Sequence, residues 1–480
     1  MIHFYPGAYP DWNDPDLKKT RRFINLLLLV LMFFTCTIGA FSQQSAEPGT
    51  VSLNPREAVE LAIQNNLSLE NARIDLDTKR RKDNLVWNQF LPTFDAAGTL
   101  SRDNWAGTSQ GINFTTLTPY SITLPQWHVN GTFSTSLVFS FALIKGIETI
   151  RLDYQAGLLS FEKARLQIER DVRKTYNQIL LLEENAALLL ENYTNTERQA
   201  AMTEANYRAG LAPRLSWLQA QVAVENMKPI IREMDNNLKA LRANFAMSLG
   251  LPYDTIFILE PIIMGDFHIP LDLAELISKA ASGKPDIMEL QKNIEVLQSS
   301  RKAQALSLHT PYLRFGWSLS STFNPLLDPF KDNWFGGDSW VKGGNFSITV
   351  GINLNSLLPF TKEGQGIKDL DNTLKSLNIT LAQVIRGTEL EIYSKVNSLM
   401  KTQTSTEAQM AAVELAELSY RLTEEAYQAG LQDFQAVQSA LLALEQAKLQ
   451  LLTQNFNYLN DLIDLEYAVG VPFGALSSGF

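Results

Sequence analysis

The sequence is poor in the side chains that most often build reactive or metal-binding sites. Its 480 residues include one cysteine and four histidines. A single cysteine excludes an intramolecular disulfide framework and a thiolate-bound zinc cluster, and four scattered histidines argue against an imidazole metal site. Basic residues are also outnumbered, with 41 Lys and Arg against 51 Asp and Glu. The resulting net charge of −10 argues against a nucleic-acid partner.

Catalytic motifs are sparse as well. The sequence contains no Walker loop and no His-Glu-x-x-His motif, and we expect no nucleophile turn of the Gly-x-Ser-x-Gly kind. Paired acids such as Asp75/Asp77 and Asp369/Asp371 have the spacing of solvated helix surface. We therefore predict that the protein is not an enzyme and that it binds no metal or cofactor.

The longest apolar run lies near the N-terminus. Four basic residues between positions 18 and 22 precede the nearly uncharged run 23–41, and small residues at positions 40 and 42 suit a cleavage site. This pattern predicts a secretory signal peptide over residues 1–42, with a single membrane-spanning anchor as the alternative. The one cysteine, Cys36, falls inside the run, and Thr35 before it gives a weak lipidation signal. We expect an exported protein without a transmembrane helix in the remainder.

The remainder of the chain is an internal duplication. Residues 203–252 align with residues 423–472 without a gap, at an offset of 220 positions. Matched pairs include Tyr207/Tyr427, Gly210/Gly430, Leu211/Leu431, Gly250/Gly470 and Pro252/Pro472. Repeats constrain a fold more strongly than length does. We therefore predict two structural repeats, residues 43–270 and 271–480, in place of the three domains that 480 residues would suggest.

Each repeat carries a very long helical segment. No proline occurs between Ile144 and Ala212 or between Thr361 and Gly470, and apolar residues from Ile367 to Val384 recur at steps of three and four. A helix from about 144 to 209 would be on the order of 100 Å long. A Tyr-x-Ala-Gly-Leu turn ends each segment, and the apolar pattern then resumes. This predicts antiparallel helical hairpins with tips near 207–213 and 427–433.

Four other segments alternate between apolar and small polar residues. We predict strands at about 91–101 and 131–142 in the first repeat and at about 311–322 and 345–356 in the second. One face of each carries apolar side chains and the other Ser, Thr, Asn or Gly, which we interpret as a face without charges. This is the pattern of a transmembrane β-strand, although a strand of a soluble sandwich gives the same alternation. Residues 101–131 and 322–345 are expected to be the connecting loops.

Four strands cannot close a membrane barrel alone, because open strand edges are not tolerated in lipid. Closure takes about eight strands or more. The subunit is therefore expected to assemble from two, three or four copies, and the strand count does not choose among these numbers.

These features together resemble the TolC-like outer-membrane efflux proteins over about residues 50–473. The opening segment from Leu53 to Asn66, the ending from Ala468 to Pro472 and the two Tyr-x-Ala-Gly tips carry the resemblance. It implies an α+β membrane protein that forms a homotrimer, with a 12-stranded β-barrel in outer-membrane lipid and a periplasmic α-helical barrel. The alternative reading of the residues is a periplasmic coiled-coil adaptor or scaffold without a channel.

The same resemblance implies the function and the partners. Such a protein is the exit duct of a tripartite efflux or type I secretion system, a passive conduit located in the outer membrane with its helical part in the periplasm. A periplasmic membrane-fusion adaptor, joined to an inner-membrane pump of the RND or ABC type, opens it.

Two groups of residues are expected to serve that function. The hairpin tips are the candidate adaptor contacts, namely Tyr207, Gly210, Leu211, Tyr427, Gly430 and Leu431. Some members of the family close the periplasmic end with an acidic ring, but the matching positions here are Ala436 and Ser439, with Ser216 in the first repeat. Asp433 is the nearest acid, and it is equally suited to cap the returning helix. These four residues are the gate candidates.

Overall fold

The computed structural model describes residues 51–105, 107–113, 115–123, 126–262, 272–323, 340–353 and 360–476. The predicted signal peptide at 1–42, including Cys36, lies outside the described residues, as do residues 354–356 of the last predicted strand and most of the 322–345 loop. None of the helices among the described residues has an apolar stretch long enough to cross a membrane.

Six elements recur in the same order in each predicted repeat, namely two helices, two strands of the sheet and two hairpin helices. The first repeat contains β1 (Val51–Leu53), α1 (Pro55–Asn65), α2 (Leu67–Asn84), a 3-10 turn (Val86–Phe90), β2 (Thr93–Arg102), β3 (Thr108–Asn113), β4 (Thr118–Thr123), β5 (Trp127–Ser140), α3 (Phe141–Arg208), α4 (Arg214–Ser248) and β6 (Phe257–Leu259). The second contains α5 (Leu273–Gly283), α6 (Pro285–His309), β7 (Tyr312–Phe323), β8 (Trp340–Gly351), α7 (Lys362–Gln428) and α8 (Phe434–Val469).

The two long helices begin at side-chain caps. The Ser140 hydroxyl accepts from the backbone N–H of Leu143, and the Thr361 hydroxyl accepts from Gly364, so each helix starts one residue after its cap. Helix α3 has 68 residues and α7 has 67. At about 1.5 Å per residue, each helix is about 100 Å long.

The first helical segment of each repeat is broken in two, which the sequence pattern did not indicate. In the first repeat the backbone becomes extended at Asn66, whose side chain caps α2. In the second repeat Lys284 is extended in the same way, and Pro285 begins α6. The return helix of each repeat ends in a left-handed glycine that packs on this break, Gly250 beside Asn65 and Gly470 beside Gly283.

A four-stranded antiparallel sheet combines strands of both repeats in the order β2-β5-β7-β8. The two repeats therefore meet where β5 pairs with β7, with Phe133 opposite Leu319 and Phe139 opposite Leu313. Strands β2 and β8 are the edges of this sheet. A short parallel pair, β1 with β6, joins the beginning and the end of the first repeat.

The 101–131 connection differs from the expected loop, because it contains a second antiparallel hairpin of β3 and β4. Its twelve paired residues are mostly Thr, Ser, Gly and Asn, with few apolar side chains, so hydrophobic alternation is too weak to reveal it. Backbone pairing rather than burial of side chains defines this hairpin.

Two apolar cores lie among the helices. The first packs α1 against α3 and α4 around Tyr176, Ile179 and Phe245, and includes Phe456 of α8. The second packs α5 against α7 and α8 around Ile392, Leu465 and Ala468. The Tyr176 hydroxyl lies 2.9 Å from the carbonyl oxygen of Leu53 and 2.7 Å from that of Glu260, which ties α3 to the β1–β6 pair.

Candidate channel surfaces and hairpin tips

One face of the four-stranded sheet is a continuous apolar surface. The register places Phe94 of β2, Phe133 and Phe139 of β5, Trp317 of β7 and Phe346 of β8 on this face. The ring centroids of Phe94 and Phe133 are 6.4 Å apart, and those of Phe133 and Trp317 are 6.1 Å apart. These aromatic side chains are between 38% and 67% exposed. The surface has the chemistry of a lipid-facing wall.

The opposite face is polar, and its hydroxyl and amide groups bond across the strands. Thr93 and Ser136 are joined by a hydrogen bond of 2.9 Å, and the Ser318 hydroxyl donates to Asn345 at 2.5 Å. The expectation of a face without charges is wrong at two positions, because the register places Asp95 of β2 and Arg314 of β7 here. Strand alternation assigns a side chain to a face whatever its charge.

A Gly-x-Ser-x-Gly sequence does occur at residues 107–111, contrary to the expectation from the sequence. It runs into strand β3, where Ser109 is exposed and pairs with Ile122 of β4. A nucleophile turn needs the serine at a sharp bend between a strand and a helix. The context here is a hairpin, so the motif has no catalytic geometry.

Strand β5 passes into helix α3 without a loop. Ser140 ends the strand and Phe141 begins the helix. The polar and apolar faces of the sheet are thereby fixed relative to the long helix, with no flexible connection between them.

The two helical hairpins turn through nearly identical tips. Gly210 and Gly430 have φ angles of 75° and 72°. In the first tip the N–H of Leu211 donates to Asn206 at 2.8 Å, and in the second the N–H of Leu431 donates to Ala426 at 2.8 Å. This pattern is a Schellman-type ending that requires a left-handed residue. The duplicated sequence therefore specifies the same turn twice.

The tips differ in what surrounds the turn. Leu211 and Leu431 are 79% and 80% exposed and lie at the ends of the hairpins. Tyr207 stacks on Trp217 of the return helix with ring centroids 5.3 Å apart. The Tyr427 hydroxyl instead lies 3.2 Å from the Thr203 hydroxyl, which belongs to the other repeat. The six predicted tip residues are thus brought to two exposed turns of unequal packing.

The four gate candidates lie at the start of the return helices. The carboxylate of Asp433 accepts from the backbone N–H of Ala436 at 2.8 Å and so caps α8. Ser439 is exposed, and Ser216 and Ala436 are half-buried. Pro213 precedes α4 without any side-chain cap. The acid of the second tip therefore has a helix-capping bond that the first tip lacks.

The sequence reasoning missed a polar stretch of the helix seam near the tips. The buried residues of α3 change from Val172, Tyr176 and Ile179 to Asn192, Thr196, Gln199 and Thr203 as the helix approaches the turn. On α7 they likewise end in Thr402 and Thr406. The departure from an apolar repeat at steps of three and four is the signal that could have revealed this stretch.

Cross-repeat bonds occupy that polar seam. The Gln199 amide nitrogen donates to the Tyr420 hydroxyl at 3.2 Å. The amide oxygen of Gln199 is buried without a hydrogen-bond partner among the described residues. Burial raises the pKa of the Tyr420 phenol above its usual value, so the hydroxyl that accepts this bond stays neutral at physiological pH. In this polar stretch, the two hairpins are joined by this hydrogen bond and by the Thr203–Tyr427 hydrogen bond.

An ion cluster joins three helices in the middle of the helical region. Asp464 of α8 accepts from Lys174 of α3 at 2.9 Å and from Lys395 of α7 at 2.8 Å, and Lys395 also bonds Asp461 at 3.2 Å. Burial would raise the pKa of the Asp464 carboxyl, but the hydrogen bonds from Lys395 and Lys174 outweigh burial and hold it below its usual value. The carboxylate is therefore the charged centre that holds the two repeats together.

The chain is similar to known outer-membrane proteins in sequence and in fold. Residues 58–250 match the family described as outer membrane efflux protein. The fold matches the CmeC outer membrane channel of Campylobacter jejuni with a TM-score of 0.71 at 16% identity, covering 90% of each chain. A comparison with curated proteins finds no match.

Two further solved structures share the fold. The outer membrane protein VceC of Vibrio cholerae has a TM-score of 0.66 at 16% identity, over 87% of this chain and 96% of that one. The open state of the MtrE outer membrane channel of Neisseria gonorrhoeae has a TM-score of 0.63 at 15% identity, over 87% and 89%. The predicted α+β fold class is confirmed. The family match covers residues 58–250 and the structural matches cover 87 to 90% of the chain, so the chain has the fold of these outer-membrane channels.

Proposed function

We propose that the chain is one of three subunits of an exit duct that spans the outer membrane and the periplasm. A single observation carries this proposal: a sheet with one bare apolar face and two free edges continues directly into a helix of 68 residues. An open sheet of four strands cannot stand in lipid, because its edge N–H and C=O groups would be unsatisfied. Three copies supply twelve strands, enough to enclose a channel.

The long helices give this duct its periplasmic length. Helices α3 and α7 each extend about 100 Å from the strand ends to the tips. This placement requires that the protein is exported, and residues 1–42 would supply the export signal. The duct itself is passive, since transport energy would come from an RND-type or ABC-type pump of the inner membrane, in efflux or in type I secretion.

The exposed tips are proposed to contact a periplasmic membrane-fusion adaptor. Leu211 and Leu431 are almost fully exposed apolar side chains on two similar turns. Two alike apolar ends on each subunit would give an adaptor ring repeated contacts around the trimer. Apolar side chains at such ends favour binding of a partner over contact with water.

The second tip is the proposed gate. Near the tip it is joined to the first hairpin by the Gln199–Tyr420 and Thr203–Tyr427 bonds, which an adaptor could break at little free-energy cost, since a net hydrogen bond contributes about 1 kcal/mol. Asp433, Ala436 and Ser439 begin the helix that would move, and Ser216 occupies the corresponding place in the first repeat.

Membrane fractionation and conductance test the duct. We expect a heat-sensitive oligomer in the outer membrane on unboiled gels, and ion conductance in planar bilayers. A soluble or inner-membrane monomer would instead support the alternative, a periplasmic adaptor or scaffold without a channel.

Adaptor contact is tested with the double variant Leu211→Asp and Leu431→Asp. Photocrosslinking from the tip to a membrane-fusion adaptor, identified by mass spectrometry, should be lost while the oligomer persists. Leu67→Asp is the control, because Leu67 is 79% exposed at the start of α2, where an acid is tolerated. Equal crosslinking by the double variant would contradict tip docking.

A further inference from the structure

An apolar recess lies where the sheet meets the long helix. Its volume is about 350 Å³, the size of a small-ligand site. Its wall is formed mainly by Phe90, Phe139, Phe141, Ile144, Leu313 and Val350. Ser140 and Tyr312 bring the two side-chain hydroxyls of the lining, and the Ser140 hydroxyl is engaged in capping α3, whereas the other lining side chains are apolar. The recess therefore suits a hydrocarbon ligand.

The recess opens onto the lipid-facing surface. Phe139, Leu313 and Val350 belong both to its wall and to the apolar face of the sheet. The ring centroids of Phe90 and Phe139 are 6.3 Å apart, which closes the recess on the side of the 3-10 turn. Phe141 and Ile144 remain exposed at the start of α3. Since the recess continues the proposed membrane surface, acyl chains are the apolar molecules that would reach it.

Two opposite charges follow the recess along the helix. Lys145 is four residues after Phe141, and Glu148 is four residues after Ile144, so each lies one turn beyond a recess residue on the same helix face. The ammonium of Lys145 contacts the Glu148 carboxylate. A zwitterionic headgroup presents a phosphate and an amine, which complement this cation and this anion.

We propose that the recess between the strand ends and α3 binds one zwitterionic phospholipid of the periplasmic leaflet. The acyl chain fills the recess, while the phosphate bonds to Lys145 and the headgroup amine bonds to Glu148. This assignment rests on the proposed duct, because it needs the apolar face of the sheet to lie in the membrane. The bound lipid would fix the depth at which the strands give way to the helices.

Lipid retention by the purified oligomer tests this proposal. The protein is extracted in detergent from vesicles that contain phosphatidylethanolamine, washed, and analysed by native mass spectrometry. We expect a phospholipid to remain on each chain. Ile144→Asn should reduce retention about tenfold, because an amide in an apolar site is unfavourable. Leu158→Asn, at an exposed leucine of the same helix outside the recess, is the matched control.

A second variant controls for loss of lipid through misfolding. The Lys145 side chain contacts Glu148 at the surface, so Lys145→Gln should fold normally and still weaken retention. Absence of lipid on the wild type, or equal loss with Leu158→Asn, would overturn the proposal. A covalent acyl group on Cys36 in the intact mass would also overturn it, by making the chain's own anchor the occupant. Conductance of the same preparation reports separately on the duct.

Discussion

Left-handed glycines end all four hairpin helices, but they have different neighbours. A Cβ atom on Gly210 or Gly430 would meet nothing within 4 Å. On Gly250 it would lie 2.4 Å from the carbonyl oxygen of Asn65, and on Gly470 it would lie 2.8 Å from the backbone of Gly283. A side chain at the tip glycines would therefore cause backbone strain alone. At Gly250 and Gly470, where the return helices end, it would cause both backbone strain and a collision with the neighbouring backbone.

Alanine at these positions should separate the two effects. Gly210→Ala is expected to destabilise the protein by about 1 to 2 kcal/mol, the penalty of a left-handed alanine. Gly250→Ala should cost about 1 to 3 kcal/mol more, because the α1–α2 break must move aside. Thermal unfolding followed by circular dichroism measures both. Gly387→Ala, in open space within α7, should be neutral or slightly stabilising. Equal losses for the first two variants would contradict this account.

The duplicated glycines could be predicted from the sequence, but the difference between them could not. Gly210 pairs with Gly430 and Gly250 with Gly470 at one offset, which indicates four alike turns. Whether a turn faces solvent or another backbone depends on the break at Asn66 and Lys284. Asn66 in the first repeat and Pro285 in the second are local signals for the start of a helix, but they do not show what packs against the break.

Helix length follows directly from the sequence, because neither long segment contains a proline that would end the helix before the tip glycine. The structure begins α3 at Phe141 and ends it at Arg208, against a predicted span of about 144 to 209. The β3–β4 hairpin could not be predicted in this way, because it depends on hydrogen bonds between segments, which hydrophobic periodicity does not report. The polar seam is visible in the sequence only as a departure from the apolar repeat, which does not show the bonds that it makes.

The ion cluster that joins the helices should respond to acid in a defined direction. The pKa of Asp464 is depressed in the folded protein, so its stabilising contribution is present above the usual Asp pKa of about 3.9 and is lost as the pH falls through the lower folded value. Asp464→Asn should destabilise the protein by about 1 to 3 kcal/mol at pH 7, because two lysines lose their partner.

Unfolding by urea at several pH values tests this expectation. The difference between wild type and Asp464→Asn should shrink as the pH is lowered toward 3. Asp235→Asn is the control, since Asp235 forms an exposed pair with Lys239 within α4, and it should change little at any pH. A difference in unfolding free energy between wild type and Asp464→Asn that is independent of pH would mean that packing rather than charge holds the three helices together.

At the scale of the whole molecule, the subunit is incomplete on its own. Strands β2 and β8 are exposed along nearly their full lengths, and no strand in the described part of the chain pairs with their outer edges. The strand count already predicts this incompleteness from the sequence, because four strands are too few to close. The number of copies in the assembly depends on the curvature of the sheet and on the packing of the helices. The alternation of side chains along a strand encodes neither of these.

Two neighbouring residues of β8 can show which face of the sheet meets lipid. Ile348 lies on the apolar face opposite Phe315, and Ser347 lies on the polar face opposite Gly316. Ile348→Lys should make membrane insertion less favourable by about 2 to 4 kcal/mol if the residue lies at the bilayer midplane, and it should reduce the amount of heat-sensitive oligomer in outer membranes. Ser347→Lys places the same charge on the same edge strand, so it disturbs subunit contact to a similar extent but should spare insertion. Quantitative gels of unboiled membranes compare the two, and equal loss of oligomer would mean that the apolar face is buried against protein rather than lipid.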